Sequence, residues 1–103
     1  MTNNTQLLKD IFGRIPRRHN VDNVKEMYGL ITEYEDVLIE IETMPAYEKE
    51  IAVYFEALDP IKALVKKSTE NKASKKQKDD YFGDAATAFK DTIEDLLVFY
   101  TDV

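Results

Sequence analysis

The chain contains no cysteine, three glycines, three prolines, one histidine and no long apolar run in its 103 residues, and each scarcity excludes something. Without cysteine there are no disulfides, thiolate metal sites or cysteine nucleophiles, which fits a reducing compartment. So few glycines and prolines permit long helices and disfavour a turn-rich β architecture. No segment approaches the roughly 18–20 apolar residues of a membrane span. The opening residues Met-Thr-Asn-Asn-Thr-Gln lack a basic region followed by an apolar one, so the expected location is cytoplasmic. The chain also lacks a Walker pattern, a phosphate-cradling glycine loop and a dinucleotide fingerprint. His19, the lone histidine, has no serine and acid fixed at any informative spacing, so no catalytic triad can be nominated. The sequence therefore names no catalytic residue, no metal ligand and no cofactor, and the reading is of a protein that is not an enzyme.

What is present is helical periodicity. Val24, Met27, Ile31, Tyr34, Leu38 and Ile41 recur at alternating spacings of three and four, with Leu30, Val37 and Met44 on a flanking row. This is a wide apolar face that touches two neighbouring helices. The pattern predicts a helix over about 21–43, capped by Asn20 or Asp22 and limited by Pro45. Leu7, Leu8, Ile11, Phe12 and Ile15 predict a short helix over about 5–14, capped by Asn4 or Thr5 and closed by Gly13 and Pro16. Tyr47, Ile51, Tyr54, Leu58, Ile61 and Val65 hold one phase across Asp59-Pro60, which predicts an element over about 46–67 kinked near Pro60. Phe82, Ala86, Phe89, Ile93, Leu96 and Tyr100 predict a last helix over about 80–100, opened by Asp79 and Asp80. Gly83 near its start suggests close approach of another helix. Lys66–Lys78 holds one alanine and no larger apolar residue, and reads as an exposed connector. The expected fold is all-α: an antiparallel bundle of three long helices plus a short N-terminal one, forming a single domain over 1–103.

Charge is blocked along the chain. Residues 1–20 sum to about +3, 21–59 to about −9, 60–78 to about +6 and 79–103 to about −6, giving the net charge of −6. The total argues against duplex DNA or an anionic membrane as the main partner, since both need a cationic footprint. Two clusters stand out. Glu26, Glu33 and Glu40 repeat every seven residues with Asp36 beside them, on what reads as the side of the helix opposite its apolar rows. This is either a solvated acidic face or a stripe that docks on a basic partner. Carboxylate-bridged metal sites in bundles bring histidines on facing helices, and none is available here. Arg14, Arg17, Arg18 and His19 form a basic node at a helix junction, either paired with acidic surface of the last helix or free to grip an anion. Six tyrosines fall on or beside the apolar rows and suit core-edge packing.

The expectation that emerges is a non-enzymatic protein-binding module, a small acidic accessory or inhibitor protein of bacterial, phage or mobile-element character. Three alternatives stand beside it. The first is a self-assembling homo-oligomer. The second is an anion- or nucleic-acid-binding protein working through the basic connectors. The third is a bacteriocin-immunity-like protein, by analogy of size and fold class alone.

Overall fold

A computed structural model describes residues 3–100. These form five helical elements and no strand: α1 (Asn4–Arg14), α2 (Val21–Glu42), α3 (Ala52–Glu56), α4 (Leu58–Lys67) and α5 (Lys75–Phe99). The molecule measures 46 × 25 × 18 Å.

The helix starts follow side-chain capping. The Asn3 side chain accepts from the Gln6 amide and the Asn20 side chain from the Asn23 amide, each at 2.7 Å. α1 therefore begins one residue earlier than its apolar pattern suggests. α5 begins five residues earlier than expected, at Lys75 rather than at Asp79-Asp80. Ser74 and Gln77 form a reciprocal capping box, the Ser74 hydroxyl accepting from the Gln77 amide and the Gln77 side chain from the Ser74 amide. The connector thus shrinks to residues 68–74, with Ser68 buried at its start, and four of the lysine-rich residues become the first turn of a helix.

The expected element over 46–67 is not one kinked helix. Residues 43–51 are a run of hydrogen-bonded turns, with the amides of Glu48 and Ile51 reaching Met44 and Tyr47. Regular helix is then interrupted at Ala57, between α3 and α4, rather than at Pro60. The reason is where a proline acts. Its missing N–H and its ring both affect the carbonyl four residues earlier, here that of Glu56, so the disturbance falls a turn before the ring. Pro60 itself lies in the first turn of α4, where an amide would have no intrahelical partner.

Contacts along the helices fix their directions. α1 and α5 are antiparallel, since Asn4 donates to the Tyr100 hydroxyl at 3.3 Å while Lys90 lies over the Phe12 ring. α3 and α4 together run antiparallel to α5, for Tyr54 of α3 stacks on Phe99 and Lys67 at the end of α4 lies over Tyr81. α1 packs against α2, and Lys62 of α4 reaches Glu35 of α2 at 3.1 Å. The order around the bundle is therefore α1, α2, α4, α5, with α2 and α5 diagonal and running the same way. Tyr34 of α2 and Phe89 of α5 meet edge to face across that diagonal at 5.4 Å. Helices too far apart for close backbone approach are bridged there by two large rings.

Met27, Leu30, Ile31, Tyr34, Val37, Leu38 and Ile41 of α2 are all buried, as are Phe82, Ala85, Ala86, Phe89, Ile93 and Leu96 of α5. Burying each large side chain contributes about 1.5–3 kcal/mol. The tyrosines divide: Tyr34 and Tyr100 are buried, Tyr47, Tyr54 and Tyr81 half-buried, Tyr28 exposed. Gly83 marks no close helix approach, because a Cβ built there meets nothing within 4 Å.

Candidate functional site: an acidic groove and a basic end

Each of the two charged clusters takes a definite place. Glu26, Glu33 and Glu40 do not lie on the side of α2 opposite its apolar rows. Their positions put them three or four residues from Leu30 and Val37, and so alongside that row, at the edge where α1 docks. Arg14, at the C-terminal end of α1, reaches across this edge. Its guanidinium contacts both oxygens of Glu33 at 3.0 and 3.1 Å, Glu26 at 3.4 Å and Asp10 of its own helix at 3.0 Å. The hydrogen bonds it donates, to Glu33 first and Asp10 second, hold the guanidinium even more firmly protonated than usual. One candidate anion-binding residue is therefore consumed by two of the candidate partner-binding carboxylates. Arg14 thus pairs with α2 and not with the last helix, while Arg17, Arg18 and His19 lie towards α5. All these groups are about half exposed, so each pair contributes at most about 1 kcal/mol and serves mainly to fix where α1 lies.

Beyond Arg14 the same edge opens into a groove of about 210 Å³ lined by Leu7, Ile11, Glu33, Asp36, Val37 and Glu40. Leu7, Ile11 and Val37 form an apolar floor and the carboxylates stand at the lip. Asp36 and Glu40 are exposed and make no ion pair among the described residues.

At one end of the bundle the remaining basic residues converge. Arg17, Arg18 and His19 from the first connector face Lys75 and Asp79 from the start of α5 across a shallow concavity of about 470 Å³. A neighbouring hollow of about 290 Å³ adds Lys25 and Lys78, beside His19, Val21, Val24, Ser68 and Thr69. His19 is half-buried, its ring edge-on to Phe82 at 5.8 Å. Arg17 also lines a groove along α5 with Gly83, Ala86, Thr87, Lys90, Asp91 and Glu94. The two basic segments, some fifty residues apart in sequence, are one surface.

Within the core, Tyr34 holds a buried hydroxyl with no hydrogen-bond partner among the described residues. Burial pushes this phenol well above the ordinary tyrosine range. The Thr92 hydroxyl offsets part of that rise without reaching hydrogen-bonding geometry, and Tyr54 and Asp95 add to it. Tyr54 is raised in the same sense, by burial first and Asp95 second.

Among the described residues, no group of three or more histidines or carboxylates is placed to hold a metal ion, and no helix is long and apolar enough to cross a membrane. Compared with known protein families, characterised proteins and solved structures, the chain shows no match to any of them.

Proposed function

We propose that the protein is a non-enzymatic binding module that receives a basic, amphipathic segment of another protein in the groove between α1 and α2. The observation that supports this reading is the make-up of that groove. Its floor is apolar, the half-buried Leu7 backed by the buried Ile11 and Val37, while Glu33, Asp36 and Glu40 stand at its lip. A helix laid in a groove draws affinity from its apolar anchors and selectivity from charge at the rim, and both are supplied here. The Arg14 clamp keeps α1 aligned with α2, so the walls are set before a partner arrives. An accessory or inhibitory role follows from such binding if the segment is one its owner needs for another contact.

Asp36 and Glu40 are the residues to reverse, because neither supports the fold through an ion pair. With both changed to lysine, binding of a labelled lysine- and arginine-rich amphipathic peptide should weaken by at least tenfold while helicity is retained. Equal binding by wild type and variant refutes the groove.

The convergence of Arg17, Arg18, His19 and Lys75 favours a second reading, capture of an anionic group at the basic end. It ranks lower because it offers flexible exposed charge, interrupted by Asp79, with little apolar surface. It predicts binding of a polyanion that falls steeply with salt.

A further inference from the structure

The outward face of α2 carries exposed apolar side chains that no other described element packs over. Val21 is 71% exposed, Tyr28 41% and Ile39 52%. At about 100° per residue they fall on one line along the helix, together with Lys25, Thr32 and Glu35. α1 packs on one flank of this line and α4 on the other. Thr32 donates its hydroxyl to the carbonyl of Tyr28, one turn back, so that hydroxyl is already satisfied within the helix.

This row has an internal symmetry about the level of Leu30. Val21 and Ile39 lie nine residues to either side of it, Lys25 and Glu35 five, and Tyr28 and Thr32 two. Two copies of α2 laid antiparallel about a two-fold axis at that level would set Val21 against Ile39 at each end of the contact and Tyr28 against Thr32 on either side of its centre. Lys25 would then come level with Glu35 and Asp36 of the other copy. Glu35 is already held by Lys62 at 3.1 Å, whereas Lys25 and Asp36 form no ion pair within the described chain. On one face, apolar thus meets apolar and cation meets anion, twice over, when the face is paired with itself.

We infer that this face is a self-association surface whose occupant is a second copy of the chain, joined through α2 in an antiparallel, isologous contact. The row spans about 27 Å at ~1.5 Å per residue. A single helix pair of that length falls at the small end of specific interfaces, below about 1,200 Å² in total, so the dimer dissociates on dilution. This surface shares Asp36 with the lip of the α1–α2 groove, but its test reads self-association of the chain alone, whereas the groove's test reads binding of a different molecule.

Sedimentation equilibrium of the purified chain, from about 1 µM to about 1 mM, provides the test. The wild type should pass from monomer to dimer mass over that range. Ile39→Glu should remain monomeric throughout with unchanged helicity. Lys25→Glu should weaken association by tenfold or more, and adding Asp36→Lys to the same chain should restore it, since the two charges are exchanged across the two-fold. A monomeric wild type at every concentration overturns the inference. So does Ile39→Glu dimerising like the wild type, and so does failure of the second reversal to rescue the first.

Discussion

Replacing Tyr34 with phenylalanine tests the account of the core at a buried hydroxyl that has no hydrogen-bond partner among the described residues. The ring packs edge-on against Phe89 and is wholly buried, so Tyr34→Phe keeps the shape and removes only an oxygen. A buried polar group without a partner costs about 1–3 kcal/mol. Losing it while leaving a small void should therefore stabilise the fold by about 1 kcal/mol, which raises Tm by about 4–8 °C in a domain of this size. A second consequence concerns pH. The neutral phenol is favoured in the folded state, so the folded pKa exceeds the ordinary value of 10. Stability is then fully present below pH 10 and is lost as pH rises through the folded value, because the unfolded chain releases its proton first. The limiting slope is about 1.4 kcal/mol per pH unit for one group. Urea unfolding followed by circular dichroism, at pH 7 and at several values between about 10 and 12, measures both effects. Tyr34→Phe should show higher stability at neutral pH and a shallower alkaline decline, with Tyr54 sustaining the remainder through its own burial and Asp95. A loss of 1 kcal/mol or more at pH 7, together with an unchanged alkaline slope, refutes the reasoning, since it would mean that the hydroxyl is satisfied and does not titrate abnormally.

Two further substitutions probe the helices. Ser74→Ala removes half of the capping box and should cost about 1 kcal/mol by thermal unfolding, with amide exchange rising first over Lys75–Lys78. No change would place the true start of α5 nearer Asp79. Gly83→Ala should stabilise by about 0.5–1 kcal/mol, because the new methyl group meets no neighbour and the glycine φ is not positive. A lower Tm would show that another element does pack closely there.

The all-helical class and the apolar faces of α1, α2 and α5 were legible in the sequence because burial repeats every three and four residues. The row Met27, Ile31, Tyr34, Leu38 and Ile41 is buried as its spacing requires. Boundaries were less legible where a local signal competed with charge. Asp79 and Asp80 suit a helix start electrostatically, yet the Ser74 and Gln77 pair, also visible in the sequence, satisfies amides directly. Apolar phase carried through Pro60 concealed the break at Ala57, since phase reports which face is buried and not which carbonyls lose their donors. The site was half legible. The charged residues could be listed, but their grouping depends on which helices are neighbours. Arg14 reads as part of the basic node until α1 lies along α2, when it becomes the clamp on Glu33. The unity of Arg17, Arg18 and His19 with Lys75 and Lys78 depends on the bundle returning both connectors to one end. The groove could not be read from periodicity, because Leu7, Ile11 and Val37 share the spacing of core positions; Ile11 and Val37 are buried, and only Leu7 is left half-covered at the α1–α2 edge.

The proposed role of the α1–α2 groove is tested most directly by coupling carboxylates to amines in complexes captured from the native host, followed by mass spectrometry of the cross-linked peptides. The account predicts that Asp36 and Glu40 join to lysines in a basic amphipathic segment of one partner, and that those links vanish when Asp36 and Glu40 are reversed to lysine. Links that instead map to the exposed faces of α4 and α5, and persist in that variant, would contradict it.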